Sequence, residues 1–498
     1  MHASLLSQLS NQSPLVLNIQ QPVHFVGIGG IGMSGLAKLL VEQGFTVSGS
    51  DAKATPLTQW LADHGTTIHI GHQAKNVPPS AAVIATTAVT SENSEIQAAI
   101  NQGLGIYHRS DLLREILEGP AMGHTIRVGI TGTHGKTTLT GMVACVLSAA
   151  DRAPTVIAGG KLPQWNTNAI LGKDRQIAVA ELDESDGSLV RYAPTHTIIS
   201  NLELDHAEHF PGGLADIIAT VNQCLTNMPS GGHVFLNADC PNTIALLKNL
   251  PEGIIPVAFT LEMDAARNTI PSNVPLYGIR QAATGGVGDA GTVVLSATGD
   301  TQEETITTIQ MQVPGRHNLL NGLITAAVTH QLEVSAQAIT TGLAQFTGMG
   351  RRFEVLGQRS GATLVDDYAH HPTEIEATLQ ATRQRLSDSQ GRIIAIFQPH
   401  RYTRLQALWD GFLHCFKLAD IVYVTDVYEA SEKPIPGIDS VKFWEALKTA
   451  YPSIHGGYLE KGDFSGIRQT LAAKAQPGDM ILSLGAGDIT QLFRGWSE

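Results

Sequence analysis

A lysine set among glycines and threonines, Gly132-Thr-His-Gly-Lys-Thr-Thr138, follows the apolar stretch Arg127-Val-Gly-Ile-Thr131 and precedes the apolar run Met142 to Leu147. Glycines at such a turn let backbone N–H groups converge on phosphate oxygens. The Lys136 ammonium adds a point charge, and the hydroxyls of Thr137 and Thr138 can reach a magnesium ion. The chemistry expected is nucleoside triphosphate binding. The run departs from the strict G-x-x-x-x-G-K-[ST] pattern, because Ile130 stands where the first glycine belongs and Gly132 takes its place. A plain Gly/Thr turn is the competing reading; the order strand, loop, apolar helix favours the phosphate.

Acids stand downstream of this loop. Glu181-Leu-Asp-Glu-Ser-Asp186 follows the apolar stretch Ile177 to Ala180, and Asn201-Leu-Glu-Leu-Asp-His206 follows Thr197 to Ser200. Carboxylates and an imidazole at strand ends of an α/β domain lie where ligand chemistry concentrates, and hard oxygen ligands suit magnesium. Acids this close repel one another unless a cation or solvent screens them; a solvated turn capping a helix is the alternative. His209 is given no role. Nearer the N-terminus, Gly27-Ile-Gly-Gly-Ile-Gly32 matches G-x-G-x-x-G at Gly27, Gly29 and Gly32, and Asp51 ends the next strand. The pattern supports a diphosphate over a helix N-terminus, which NAD or a nucleotide diphosphate sugar would satisfy equally, or a ligand-free glycine turn.

Positioning these residues requires alternating strands and helices. Val23–Val26, the helical pattern Met33 to Glu42 and a strand ending at Asp51 form a βαβ opening, and further alternation runs through Ala82–Thr87 and Ser94–Asn101. A loop at Glu118 to Gly123 separates this block from the one that starts with the lysine loop. Within that second block, Pro251 to Thr308 is rich in Gly, Thr and Ala and reads as short strands and loops. The last block carries apolar runs suited to buried parallel strands at Ile393–Phe397, Ile421–Thr425 and Met480–Leu484. With 498 residues, length alone suggests about three domains.

Composition narrows the class. Hydrophobic content of 43% with 15% charged residues fits a well-buried soluble enzyme. A net charge of −13 without any Lys/Arg cluster argues against a nucleic-acid surface and for small-molecule partners. Cys145, Cys224, Cys240 and Cys415 form no C-x-x-C pair, which points to a reducing, cytoplasmic setting and away from a zinc site. The N-terminus lacks a basic segment followed by an apolar one and reads as a flexible tail rather than a signal peptide. No stretch approaches the roughly 20 apolar residues of a membrane span.

Together the motifs resemble the Mur ligases of peptidoglycan precursor synthesis, from Gly27 to Asp488. The resemblance rests on Gly27-Ile-Gly-Gly-Ile-Gly-Met33, Gly132–Thr138, Asp183-Glu-Ser-Asp186, Asp205-His206, Gly315-Arg-His-Asn318 with Asn321, Gly350-Arg-Arg-Phe353, Asp366-Asp-Tyr-Ala-His-His-Pro-Thr-Glu374 and Gln398-Pro-His-Arg-Tyr-Thr-Arg404. It implies an α/β protein of three domains after a tail at 1–20. A Rossmann-like UDP-sugar domain would span 21–121, a P-loop-type ATPase with a mainly parallel sheet 122–347, and a Rossmann-like amino-acid domain 348–498.

The resemblance also implies a reaction: ATP phosphorylates the lactyl carboxylate of UDP-N-acetylmuramic acid, and an amino acid, L-alanine in the members this chain looks most like, attacks the acyl phosphate. It implies that Lys136 bridges the β- and γ-phosphates with Gly132, Thr133, His134, Gly135, Thr137 and Thr138 around them. Thr137, Glu184 and His206 would hold magnesium, and Asn318, Asn321 and Arg352 would contact the nucleotide. Gly29, Gly30, Gly32, Asp51, Thr86, Thr87 and Arg109 match the UDP-sugar site. Tyr368, His370, His400, Arg401 and Arg404 match the amino-acid site, where a guanidinium fork suits a carboxylate. Only one of the adjacent His370 and His371 is expected to face that site. Three rivals are a murein tripeptide ligase of the same family, an NAD-dependent dehydrogenase, and a nucleotide switch. The dehydrogenase would leave Lys136 and the acidic cluster unexplained, and the switch has no need of the Arg401 region.

Overall fold

The computed structural model describes residues 13–173, 175–206, 209–283, 288–296, 302–386, 390–430 and 432–496. They form two compact units, one made of the chain up to Leu202 with Ile217–Ala258, the other of Glu203–Asp216 and the chain from Phe259 onward. The boundary expected at 121/122 lies inside the first unit and that at 347/348 inside the second.

In the first unit, β1 (Val23–Val26), β2 (Val47–Asp51), β3 (Thr67–Ile70), β4 (Ala82–Ala85) and β5 (Ile106–His108) form a parallel sheet in the order β3-β2-β1-β4-β5. The central strands β1 and β4 are buried at every residue, as parallel strands covered on both faces must be. Strand order reverses at β1, and the Gly27–Gly32 turn leaves its carboxyl end, the switch point at which such sheets bind ligands. Extended backbone at Gly30 starts the following helix at Ile31, two residues before the expected Met33.

The same unit holds β6 (Ile126–Thr131), β7 (Thr155–Leu162), β8 (Thr167–Ile170), β9 (Ile177–Glu181), β10 (His196–Ile199) and β11 (His233–Asn237), side by side in the order β11-β10-β6-β9-β7-β8. All pairs are parallel except β7 with β8. Helix Lys136–Ala149 follows β6, its Met142–Leu147 run fully buried. The two sheets are tied together: the Asn168 side chain donates to Ile31 O, and Lys38 Nζ donates to Ala169 O at 2.9 Å. Of the expected flexible tail, residues 1–12 lie outside the described residues. The remainder is not loose: Leu15 and Leu17 are buried, and Leu17 N–H donates to Glu115 Oε1 at 3.0 Å. Two leucines separated by one residue let this segment place both side chains on one face, a signal too short to stand out in polar sequence.

A fully buried acid also belongs to this unit. Burial pushes the Glu95 carboxyl up, but His24, Ser50 and Asn76 outweigh it and hold the group at about 2, below its ordinary 4.5. A depressed carboxylate stabilises the fold above its unfolded value and loses that contribution as pH falls through the folded one. Glu95→Gln is therefore expected to flatten the loss of stability between pH 4.5 and 2 by about 2 kcal/mol after allowance for screening, measured by urea unfolding across pH. Parallel curves for the two proteins would contradict the assignment.

β12 (Ile255–Thr260) carries the chain toward the second unit. There β13 (Leu276–Ala283), β14 (Ala290–Ser296) and β15 (Glu303–Gln310) form an antiparallel meander, so the segment read as short strands and loops holds strands of 8, 7 and 8 residues. Helices Arg316–Gln331 and Ala336–Gln345 follow. The last six strands, β16 (Glu354–Arg359), β17 (Ala362–Asp367), β18 (Ile393–Phe397), β19 (Ile421–Val424), β20 (His455–Tyr458) and β21 (Met480–Leu484), are ordered β16-β17-β21-β18-β19-β20. Only β16 runs antiparallel, against β17. One face packs against Phe412, Phe416 and Phe443, the other against Ile467 and Phe493. Among the described residues no helix is long and apolar enough to cross a membrane.

Candidate active site

In the first unit the lysine loop is held by the end of β10. Gly132 (φ +119°) and Gly135 (φ +85°) take backbone conformations that L side chains rarely adopt, and a Cβ on Gly132 would lie 2.5 Å from Ser200 Oγ. Asn201 braces the loop, its carbonyl accepting from Thr133 N–H at 3.1 Å and its Oδ1 from His134 N–H at 2.9 Å. Those two amides are thereby engaged. The N–H groups that face an anion are the first-turn amides of helix Lys136–Ala149, which have no partner four residues back.

Lys136 Nζ donates to Gly132 O at 2.7 Å, Thr133 O at 3.3 Å and Glu184 Oε1 at 2.9 Å. Burial works against its charge, yet Glu184, Asp183 and Glu181 more than offset it and raise the ammonium above its ordinary value. Burial raises the Glu184 carboxyl against the pull of Lys136. Its second oxygen, Oε2, is buried without a hydrogen-bond partner. A shielded carboxylate oxygen beside the Lys136 ammonium is a ligand atom suited to a hard cation, so the residues present fit magnesium.

The acidic cluster also grips Arg109, which sequence reasoning placed at the UDP-sugar site without naming its partners. Arg109 Nη2 lies 3.0 Å from Asp183 Oδ2 and 3.3 Å from Asp186 Oδ2. Burial opposes the Asp183 charge, but Lys136 and Arg109 hold its carboxyl at about 2. A Cβ on Gly32 would sit 3.7 Å from Arg109 Nη1, so the guanidinium lies close to the start of helix Ile31–Glu42. Gly30, Gly32, Thr86, Arg109, Glu181 and Asp183 line one cavity of about 300 Å³. Of the other expected UDP-sugar residues, Asp51 accepts from Gly29 N–H at 2.9 Å and so braces the glycine turn, and Thr87 is exposed.

In the second unit, Tyr368, His370 and His400 gather at the carboxyl ends of β17 and β18. His370 packs edge-on to Tyr368 with ring centroids 5.1 Å apart and to His400 at 5.9 Å, and His400 stacks on Tyr428. Burial lowers His370 to about 3 and His400 to about 2, so both rings are neutral at physiological pH and too weakly basic to take a proton from an ammonium. His371 turns away to cap helix Pro372–Arg385, its ring accepting from Thr373 N–H. Glu374 completes that capping box, receives His370 N–H at 3.0 Å and pairs with Arg352 at 3.3 Å. Glu374 was not singled out beforehand, although an acid three residues after a helix start is a legible capping signal. Arg351 and Arg352 both lie over the Tyr368 ring, at 4.8 and 5.0 Å.

Arg404 departs most from expectation. Its Nε and Nη2 donate to Asp205 at 3.0 and 3.3 Å and its Nη1 meets His400 Nδ1 at 3.0 Å, with Arg404 and Asp205 both buried. Its fork already holds a carboxylate, one that belongs to the protein. Asp205, quoted within a motif but given no role, precedes His206, which takes φ +53°. Arg401 also has a left-handed backbone, φ +70°, and its guanidinium is 30% exposed, with Glu432 3.9 Å away. Asn318 and Asn321 lie on helix Arg316–Gln331, where Asn318 Nδ2 donates to Pro314 O at 2.7 Å.

Residues 22–119 match the family described as Mur ligase family, catalytic domain, residues 130–329 the Mur ligase middle domain, and residues 351–487 the Mur ligase, glutamate ligase domain. A UDP-N-acetylmuramate–L-alanine ligase of Sorangium cellulosum (strain So ce56) is 37% identical over 475 residues, 95% of each chain. One of Rhodopseudomonas palustris (strain TIE-1) is 38% identical, covering 94% of this chain and 96% of its own. Among solved structures, UDP-N-acetylmuramate-alanine ligase MurC of Thermotoga maritima is 28% identical with a TM-score of 0.76, covering 96% of this chain and 98% of that one. A murein peptide ligase of Psychrobacter arcticus, 23% identical with a TM-score of 0.65, shares the fold over 95% of this chain and 98% of its own. The lysine loop, the acidic cluster and the histidine-rich strand ends thus lie in a chain that belongs to the Mur ligase family.

Proposed function

We propose that this chain joins L-alanine to UDP-N-acetylmuramic acid as ATP is cleaved to ADP and phosphate, in the cytoplasm, as a step of peptidoglycan precursor synthesis. The observation that carries the reading is the Lys136–Glu184 pair in one unit with a cavity lined by Arg109 and the Gly30–Gly32 turn. A triphosphate site and an anion-binding pocket built on the same acidic cluster are what phosphoryl transfer to a bound carboxylate requires. Relatives named for this activity, 36–38% identical over nearly the whole chain, support the choice of substrates. The free thiols of Cys145, Cys224, Cys240 and Cys415 suit a reducing compartment.

A carboxylate does not accept an amine directly, because its oxygen is a poor leaving group. In the proposed sequence the lactyl carboxylate attacks the γ-phosphorus and ADP departs. The free amine of L-alanine then adds to the acyl carbon, and the tetrahedral intermediate gives up a nitrogen proton to solvent or to the departing phosphate as the C–O bond breaks and the amide forms. Charge builds on non-bridging oxygens in both steps, so the protein acts by positioning and electrostatics. Lys136 and the first-turn amides of its helix hold the β- and γ-phosphates, and Asn318, Asn321 and Arg352 contact the nucleotide. Thr137, Glu184 and His206 would hold magnesium, which when bound offsets phosphate charge. Gly29, Gly30, Gly32, Asp51, Thr86, Thr87 and Arg109 receive the UDP-sugar. Tyr368, His370, His400 and Arg401 frame L-alanine, with Arg401 on its carboxylate, while Arg404 holds Asp205 and His400 in place.

Phosphate release, followed with ATP, magnesium, UDP-N-acetylmuramic acid and each candidate amino acid or peptide in turn, tests the reading. Turnover is expected with L-alanine. Strong turnover with a tripeptide and none with L-alanine would replace it with the peptide-recycling activity.

A further inference from the structure

Behind the Gly27–Gly32 turn lies a buried polar cluster that the proposed reaction does not use. Glu95, in the first turn of helix Ser94–Asn101, is 0% exposed, and so is His24 of β1. An acid this deep persists only with a full set of partners. The segment after β3 and the end of strand β2 supply them. Asn76 Nδ2 donates to Oε1 at 2.7 Å and Gln73 N–H at 3.2 Å, both from the segment after β3, while the Ser50 hydroxyl at the end of β2 donates to Oε2. Ser50 Oγ also meets His72 Nδ1 at 2.8 Å. With its own hydrogen on Glu95, the hydroxyl accepts there, which fixes the His72 proton on Nδ1. His24 Nε2 stands 3.6 Å from Glu95 Oε2, and its Nδ1 is 2.8 Å from Ser48 Oγ.

The backbone of Ser50 connects this cluster to the glycine turn. Ser50 O accepts from Gly27 N–H at 2.8 Å and from Ile28 N–H at 2.9 Å, the amides that open the turn, and its neighbour Asp51 accepts from Gly29 N–H at 2.9 Å. Contacts therefore run without a break from the Glu95 carboxylate through Ser50 to the backbone expected to receive a diphosphate. A Cβ on Gly49 would come within 2.6 Å of Ile28 Cδ1 and 2.8 Å of Phe25 O, so the end of β2 presses closely on the same turn.

We propose that Glu95 is a positioning residue for the UDP-sugar: through Ser50 it fixes the Gly27–Gly30 backbone, and with it where helix Ile31–Glu42 presents its first-turn amides to the diphosphate. The inference rests on the assignment of that turn to the UDP-sugar. Its signature is selectivity, because Glu95 touches neither the lysine loop nor its bracing strand. A small displacement of the turn weakens binding of one substrate and leaves the triphosphate site as it was.

Calorimetry of UDP-N-acetylmuramic acid binding and steady-state kinetics on the full chain, wild type against Glu95→Gln, Ser50→Ala and the double variant, test it. Each single variant is expected to raise Kd and KM for the UDP-sugar by about tenfold, roughly the loss of one hydrogen bond to a charged group. KM for ATP and kcat should stay within about twofold, and the double variant should be no worse than the worse single one, since both act on one chain of contacts. Unchanged UDP-sugar affinity in the variants, additive losses, or a parallel rise in KM for ATP would overturn the proposal while leaving the substrate assignment standing. A wild-type chain that does not bind the UDP-sugar would overturn both. Should Glu95→Gln fail to fold, Ser50→Ala decides alone, because there the acid keeps Asn76 and Gln73.

Discussion

Lys136→Ala will abolish ATP turnover, lowering kcat by at least ~10³-fold, and will leave UDP-N-acetylmuramic acid binding within about threefold of wild type. The size follows from where the ammonium sits. Its contacts at 2.7 to 3.3 Å run to the loop carbonyls and to Glu184, so it is held within the Gly132–Thr138 loop, and its loss removes the cation proposed to face the transferring group while leaving Glu184 buried without its partner. The selectivity follows from the glycine turn, whose supports are Ser50 and Asp51, neither of which involves Lys136. A small effect on the sugar is expected because Asp183 interacts with both Lys136 and Arg109. Phosphate release and calorimetry measure the two quantities; equal loss of both would contradict the separation of the sites.

Arg404→Met will destabilise the protein by about 3–5 kcal/mol, the range for stripping one partner from a buried ion pair. Asp205 and Arg404 are each 6% exposed, and although burial works against the acid, Arg404 holds it well below the usual carboxylate range. Removing the guanidinium strips Asp205 of its cationic partner and His400 of its contact at Nδ1. Adding Asp205→Leu to Arg404→Met should recover most of the stability, since an apolar pair of similar volume replaces a buried ion pair at little loss, but should not recover turnover, because His206 N–H loses the Asp205 Oδ1 that accepts it at 2.8 Å and His400 loses Arg404. Urea unfolding of the two variants checks this. A double variant no more stable than Arg404→Met would contradict the ion-pair account, and one with full activity would contradict the positioning role.

Much of this was legible in the sequence because it is local. Apolar runs such as Ile393–Phe397 and Met480–Leu484 announced buried parallel strands, and Gly27 and Gly132 stand where the backbone takes positive φ. The site was less legible wherever a side chain chooses among distant partners. Arg404 reads as a fork for a substrate carboxylate until Asp205, 199 residues away, is found in it. The Arg109 partners Asp183 and Asp186 are likewise 74 and 77 residues off. His371 caps its own helix, a role that sequence spacing assigns more readily to Ser or Thr. In β15 only the C-terminal half alternates between buried and exposed, so Pro251–Thr308 has a weak period and reads as short strands and loops rather than as a meander of long strands.

The central claim is that the acid is activated by phosphorylation before the amine attacks, and the fate of one oxygen tests it directly. With UDP-N-acetylmuramic acid carrying ¹⁸O in its lactyl carboxylate, ATP, magnesium and L-alanine, each phosphate released should contain one labelled oxygen and each amide formed should retain the other. Unlabelled phosphate, or amide formed with ATP omitted, would contradict the account.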